Sequence, residues 1–166
     1  MADFGPAYEA MIRNEGGYVL HKVEGDRGGM TYAGIARNMN PNWAGWRMID
    51  NGDLVPAYVV REFYQAQFWD KMRGDEITNQ IIAQTIFDFY VNAGLPALKL
   101  AQLVVGATPD GVFGPRTVAA LNAYPEDKFV MAYALAKIAR YRDICMRDRS
   151  QSKFLLGWVN RTLEGV

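Results

Sequence analysis

The segment from Ile77 to Ala93 constrains the fold most, because it is apolar on nearly every side of a helix. Such a helix is stable only where other elements cover it, so the segment predicts the central helix of a helical bundle. Its polar exceptions, Gln84, Asp88 and Asn92, recur every fourth residue and therefore form one line along the helix. A polar line on a buried helix faces either a cleft or an internal hydrogen-bond network.

Regular apolar spacing predicts further helices on both sides of this segment. The first begins near Phe4 and ends at Gly16-Gly17, and the next begins near Thr31 and ends near Met39. Later helices are predicted over residues 55–69, 96–105, 115–123, 126–147 and 151–163. Between Tyr18 and Met30 the helical period is lost and glycines cluster, which favours a short β-hairpin or loop. The fold class is therefore mainly α, a helical bundle with a small β-hairpin or loop lobe after the first helix.

Composition excludes several classes of protein. The chain of 166 residues has 18 basic and 18 acidic side chains, so a strongly basic nucleic-acid binder is not expected. A single cysteine, Cys145, excludes an intrachain disulfide, and a single histidine, His21, argues against a His-rich zinc site. We therefore expect no metal and no cofactor. Apolar runs fall short of the roughly 20 residues that a membrane helix needs, so stable membrane insertion is not expected.

Glu15 is the most informative polar residue. It continues the helical stripe of Phe4, Tyr8 and Met11, which puts a carboxylate on the core-facing side at the end of the first helix. Partial burial and the negative end of the helix dipole both favour the protonated form of a carboxyl group there. A protonated carboxyl group is what a glycosidase uses to protonate a leaving oxygen. The alternative is a solvated glutamate before a glycine stop.

Two further residues follow Glu15 in a suitable order. Asp26 lies in the glycine-rich run GDRGG and Thr31 follows five residues later. A second carboxylate can activate water or balance the positive charge of an oxocarbenium-like sugar, and a nearby hydroxyl group can hold that water. Each residue also has a structural alternative: Asp26 as a turn residue and Thr31 as the cap of the following helix.

These residues resemble a known family. EGGY at 15–18, DRGG at 26–29 and TYAGI at 31–35 are similar to glycoside hydrolase family 108, small lysozyme-like muramidases of phages and bacteria. FDFYVNAG at 87–94 and ALKLAQLVVGATPDGVFGPRTVAALN at 97–122 resemble the predicted peptidoglycan domain found downstream in such proteins. The resemblance implies a lysozyme-superfamily fold with Glu15 as the essential acid. It divides the chain into a catalytic portion, 1–94, and a helical peptidoglycan-associated portion, 95–166, packed together as one compact domain.

The resemblance implies hydrolysis of the β-1,4 bond between N-acetylmuramic acid and N-acetylglucosamine in bacterial peptidoglycan, as in an endolysin that lyses bacteria. The order of Glu15, Asp26 and Thr31 matches more distant phage lysozymes, which assigns Asp26 and Thr31 to the site by analogy. Two alternatives stay open: a lytic transglycosylase that uses the same acid, and a non-catalytic peptidoglycan-binding or secretion-accessory protein. The N-terminus lacks a secretory-signal pattern, so we expect synthesis in the cytoplasm and action on the cell wall, in the periplasm, after lysis or export by a holin or dedicated transporter.

Aromatic and polar side chains are candidates for contacts with the glycan strand. Tyr18 either packs on a sugar ring or belongs to the core, and Trp43 and Trp46 either flank the cleft or pin the loop NPNWAGW. Tyr64 is a candidate whose helical spacing also fits a core residue. The polar line of Gln84, Asp88 and Asn92 either binds N-acetyl groups on a cleft floor or forms a structural network. Whether 97–122 binds peptidoglycan or is only structural stays open.

Overall fold

The computed structural model describes residues 1–22 and 29–166. Contacts within the chain group these residues into two compact units. The first unit is Asp3–Asp70, and the second unit is Met1–Ala2 with Lys71–Val166. The predicted division into portions 1–94 and 95–166 follows sequence pattern rather than contacts, and it stays a prediction.

Helices of the first unit surround an aromatic core. Its helices are α1 (Phe4–Asn14), α2 (Ala44–Asp50) and α3 (Ala57–Tyr64), and a π-helical turn, Gln65–Trp69, continues α3. The carboxylate of Asp3 caps α1 by accepting a hydrogen bond from the Gly5 amide. Ring centroids of Phe4 and Trp69 are 5.6 Å apart, and those of Tyr8 and Tyr64 are 6.1 Å apart. The apolar stripe of α1 therefore packs against α3 and its continuation.

A small antiparallel sheet follows α1. Its strands are β1 (Leu20–Lys22), β2 (Met30–Tyr32) and β3 (Ile35–Ala36), in the order β1-β2-β3. Tyr32 pairs with Ile35, so only Ala33 and Gly34 connect β2 to β3. Both have positive φ, 48° and 80°, as the two central residues of a type I′ hairpin turn do. The extended structure predicted between Tyr18 and Met30 is confirmed for β1 and the start of β2; residues 23–28, with Asp26, lie outside the described residues.

Two predictions for the first unit are wrong. The helix expected from Thr31 to Met39 is replaced by β2, the tight turn and β3, because the left-handed backbone at Ala33 and Gly34 is incompatible with a right-handed helix. Thr31 accordingly caps no helix and pairs with His21 and Ala36 across the sheet. The loop expected around Trp46 is partly helical, since α2 begins at Ala44 and buries Trp46.

The second unit confirms the helices predicted for it. They are α4 (Gln80–Ala93), α5 (Leu95–Val104), α6 (Pro115–Ala123), α7 (Glu126–Arg147) and α8 (Leu155–Leu163), with short 3₁₀ turns at Gly74–Glu76 and Arg149–Phe154. The buried face of α4 includes Ile82, Ile86 and Phe87, and α4 packs against both α5 and α7. In the described ranges, 1–22 and 29–166, no helix is long and apolar enough to cross a membrane.

Candidate active site

Glu15 lies at the C-terminal cap of α1, where the sequence places it. Its amide donates to the carbonyl of Met11 at 3.0 Å, which completes the last turn of the helix. Gly16 and Gly17 follow with φ of 84° and 78°, a left-handed backbone that ends the helix and that glycine adopts without strain. The Glu15 side chain is half-buried. This geometry fixes the carboxylate at the end of a rigid helix rather than on a loop.

The hairpin turn lies directly against this carboxylate. A Cβ atom at Gly34 would be 3.1 Å from Oε2 of Glu15 and 2.6 Å from the hydroxyl oxygen of Tyr64. Two side-chain oxygens therefore face one backbone position, and only a glycine leaves room for both. Gly34 is exposed and Glu15 is half-buried, so both residues are partly accessible to solvent.

Tyr64 connects this turn to the core. Its hydroxyl group donates a buried hydrogen bond of 2.8 Å to the carbonyl of Ala33, the other turn residue. Burial, followed by the nearby negative charge of Glu15, raises the pKa of Tyr64 well above its usual value. The phenol therefore stays protonated at physiological pH and holds the turn. Tyr64 is 1% exposed, which favours its core interpretation over a contact with substrate.

Tyr18, the fourth residue of EGGY, contacts Tyr8 of α1. Its hydroxyl group is hydrogen-bonded to that of Tyr8 at 3.0 Å, while 43% of the residue remains exposed. Burial and this hydrogen bond raise the pKa of Tyr8 far above its usual value. The guanidinium of Arg61 lies 5.6 Å from the Tyr8 ring centroid. Tyr18 is thus anchored at its tip and still presents part of its ring to solvent.

The two tryptophans have different surroundings. Trp46 is 1% exposed, and its indole N–H donates to the Asn40 carbonyl at 3.0 Å, which favours its alternative role in pinning the segment. Trp43 is half-buried and lines a cavity of about 500 Å³ together with Phe63. Its ring packs over Gly45 so closely that a Cβ there would lie 2.3 Å away. The buried Trp43 indole N–H has no hydrogen-bond partner among the described residues.

The polar line on α4 belongs to the second unit. Asp88 forms a salt bridge of 3.2 Å with Arg161 of α8, and the Asn92 amide donates to the Asp88 carbonyl at 2.7 Å. Gln84 is half-buried on the same helix. For Asp88 and Asn92 these contacts favour the structural-network alternative, and their role in substrate binding remains a prediction.

Residues that the sequence did not single out also shape the molecule. Gln102 is 1% exposed, and its amide group bonds to Asp110, the Val112 carbonyl and Thr117 while accepting from the Gly111 amide. Asp110-Gly111 is a typical turn sequence, but no local pattern indicates the buried Gln102 amide that holds the turn. Gly34 is likewise part of a recognisable motif in the sequence, but its contacts with Glu15 and Tyr64 come from residues distant along the chain.

The part of the chain that the structure describes offers no group of three or more His, Cys, Asp or Glu side chains suited to a metal ion. Among the described residues, the Glu15 carboxyl group lies beside the Tyr64 phenol, whose hydrogen is already donated to Ala33. A carboxyl group at this position can transfer a proton to or from a ligand that reaches it.

Comparisons with known proteins agree with this architecture. The family model for glycosyl hydrolase 108 matches residues 8–94, and the model for a predicted peptidoglycan domain matches residues 96–163. No curated protein matches the chain. Among solved structures, the chain is similar to SagA of Brucella abortus, with 24% identity and a TM-score of 0.72 over 98% of this chain and 90% of that chain.

The structural likeness and the helices with their small sheet confirm the predicted lysozyme-like fold class. The two family matches, in this order, support a glycoside hydrolase that degrades peptidoglycan. Since the first model alone covers more than half of the sequence, the chain belongs to the glycosyl hydrolase 108 family.

Proposed function

We propose that the chain hydrolyses the β-1,4 bond between N-acetylmuramic acid and N-acetylglucosamine, with Glu15 as the general acid. One observation carries the proposal: the half-buried Glu15 lies at the C-terminal end of α1, and its carboxylate lies against the exposed Gly34 of the hairpin turn. A general acid must be held within hydrogen-bond reach of the leaving oxygen, and a helix end closed by a hairpin provides that rigidity.

The proposal also assigns the transferred proton to Glu15 and not to Tyr64. Tyr64 donates its own hydrogen to the Ala33 carbonyl, so its phenol holds the turn and is not the donor to substrate. In the proposed reaction, Glu15 protonates the glycosidic oxygen as the bond to the sugar breaks. Water then attacks the oxocarbenium-like carbon and gives up a proton to the second carboxylate in an inverting reaction, or to the deprotonated Glu15 in a retaining one.

Asp26 and Thr31 complete the proposed machinery as the groups that position water or stabilise the cationic sugar. Thr31 lies on β2, three residues before Gly34. The role of Asp26 rests on sequence alone. We further propose that residues 1–94 form the catalytic portion and that residues 95–166 associate with peptidoglycan, as their family matches suggest.

Replacement of the acid tests the proposal directly. Glu15→Gln keeps the size of the side chain and removes the transferable proton, so clearance of purified peptidoglycan should fall by roughly 10²–10⁴-fold. Glu9→Gln makes the same charge change on an exposed position of α1 and should keep full activity. Matching circular-dichroism spectra and melting temperatures would show that both variants fold. Native-rate clearance by Glu15→Gln would refute the assignment.

Product analysis distinguishes hydrolysis from the two alternatives. Mass spectrometry of released muropeptides should show reducing ends, and anhydro ends would instead identify a lytic transglycosylase. Asp26→Asn sharpens the comparison, because hydrolysis requires the second carboxylate and transglycosylation does not. An activity gel without a zone of clearing for folded wild-type protein would favour the non-catalytic alternative.

A further inference from the structure

The second unit contains a polar cavity of about 250 Å³ between α4, α7 and α8. Its walls include Asp88 of α4, Lys137, Arg140 and Tyr141 of α7, and Trp158 and Arg161 of α8. We call it the α7–α8 cavity. Its size is just below the usual range for small-molecule sites, so it suits a fragment of one or two residues.

Aromatic rings form one wall of the α7–α8 cavity. Tyr141 and Trp158 are stacked, with ring centroids 5.1 Å apart and an interplanar angle of 27°. Phe89 meets Tyr141 edge-on at 6.3 Å. Thr162, which also lines the cavity, is buried and donates from its hydroxyl group to the Trp158 carbonyl at 2.9 Å. These contacts hold flat apolar surfaces in place, of the kind on which peptide planes and sugar rings pack.

The lining of the α7–α8 cavity is also charged. Lys137, Arg140 and Arg161 contribute three positive charges to the lining, and Asp88 contributes one negative charge, which leaves an excess of two positive charges. The Lys137 ammonium lies 4.9 Å from the Phe89 ring centroid and 4.8 Å from that of Tyr133, so it is held at the aromatic surface. A small, partly enclosed space with this charge attracts anions more strongly than an open surface does.

We propose that the α7–α8 cavity binds a carboxylate of the peptidoglycan stem peptide. This inference rests on the proposed function, in that peptidoglycan is the substrate. A carboxylate fits because the planar guanidinium groups of Arg140 and Arg161 match its geometry. The stacked rings offer a surface to the adjoining amide planes. The predicted peptidoglycan domain, residues 96–163, contributes both of these arginines together with Lys137.

Binding of a fragment without a cleavable glycosidic bond tests this inference apart from catalysis. The probe is N-acetylmuramyl-L-alanyl-D-isoglutamine, which carries one carboxylate, and the uncharged comparison is N,N′-diacetylchitobiose. Calorimetry with the full chain should show saturable binding of the probe and at least tenfold weaker binding of chitobiose. Absence of probe binding, equal binding of chitobiose, or equal binding of inorganic phosphate would overturn the inference.

Variants locate the binding within the cavity. Lys137→Met and Arg140→Gln should each weaken probe binding by about tenfold, the effect of one lost charge-assisted contact. Lys128→Met on the exposed part of α7 makes a matched charge change and should leave binding unaltered. Lys137→Met should melt no lower than the wild type, so a loss of binding would not reflect unfolding. Unaltered binding in both cavity variants would overturn the inference.

The test also separates this inference from the proposed function. Glu15→Gln should bind the probe as tightly as the wild type, because Glu15 belongs to the first unit. A wild-type protein that binds the probe but does not cleave peptidoglycan would refute only the proposed function. A protein that cleaves peptidoglycan without binding the probe would refute only the inference about the α7–α8 cavity.

Discussion

Gly34→Ala probes the contact between the hairpin turn and the proposed acid. Gly34 has φ of 80°, and a left-handed conformation costs an alanine roughly 1–2 kcal/mol. The added methyl group would also lie 2.6 Å from the Tyr64 hydroxyl oxygen and 3.1 Å from Oε2 of Glu15. The hydroxyl must move, which weakens its buried 2.8 Å bond to Ala33 at a cost of about 1 kcal/mol. We expect a total loss of about 2–3 kcal/mol in the free energy of unfolding.

Gly52→Ala is the matched control for this variant. Gly52 has φ of 79°, and a Cβ there would meet no atom within 4 Å, so it carries the conformational cost alone. Urea unfolding should show Gly34→Ala to be about 1 kcal/mol less stable than Gly52→Ala. Because displacing a catalytic group by an ångström can cost on the order of 10²-fold in rate, only Gly34→Ala should lose substantial activity in a peptidoglycan turbidity assay. Equal stability and full activity in both variants would refute the reasoning.

Two further predictions concern the second unit. Gln102→Leu should lower the free energy of unfolding by about 2–3 kcal/mol in urea titrations, because it leaves the buried Gly111 amide without its acceptor. Lys137→Met should raise it at pH 7. Burial lowers the pKa of Lys137 to about 8, while the charge of Asp88 opposes that shift and the charge of Arg161 adds to it. Keeping the ammonium charged in the folded protein at pH 7 therefore costs about 3 kcal/mol. Its two cation–π contacts return only roughly 1–2 kcal/mol. The free energy of unfolding of the wild type should rise between pH 8 and 10.5, where the unfolded chain binds more protons than the folded one. An equal difference in stability between the wild type and Lys137→Met at pH 7 and at pH 10 would contradict this explanation.

Helices whose ends are marked by glycine or proline could be predicted from the sequence. The end of α4 at Ala93 coincides with Gly94, whose φ is 68°, and α6 begins at Pro115, where a proline costs no hydrogen bond. Pro125 likewise precedes the acidic first turn of α7. In each case a single glycine or proline is unfavourable inside a helix but favourable at its end, so the local conformational preference of that residue decides the helix boundary.

The small sheet and α2 could not be predicted in the same way. A type I′ turn is usually signalled by Asn-Gly or Asp-Gly, whereas here Ala33 adopts φ of 48° before Gly34. Alanine gives no local signal for that conformation, and the buried bond from Tyr64 to its carbonyl supports it from a distant part of the chain. The N-terminus of α2 is similarly unmarked, since Trp43 precedes it without a side-chain cap.

Glu15 illustrates how far the candidate site could be predicted. Its place at the end of α1 follows from a helical stripe and two glycines, both of which are local features. Its neighbours do not: Gly34 comes from the hairpin turn and Tyr64 from α3, so only the tertiary fold shows that they meet the carboxylate. The sequence could therefore identify Glu15 as a candidate acid, but it could not show which residues hold Glu15 in place.

The PDGVFG turn shows the converse case, in which a recognisable motif has a structural explanation. Asp110 accepts hydrogen bonds from the Val112 amide and from Gln102, while the Gly111 amide donates to Gln102. These contacts fix the turn from inside the second unit, so the fold alone explains why these residues occur there, without a ligand. The α7–α8 cavity, in contrast, has an excess of positive charge in its lining. The stacking of Tyr141 on Trp158 joins α7 to α8, but like charges gathered beside it repel one another and do not stabilise that packing. Ligand binding by the second unit is therefore better sought at the α7–α8 cavity than at the motif that first suggested it.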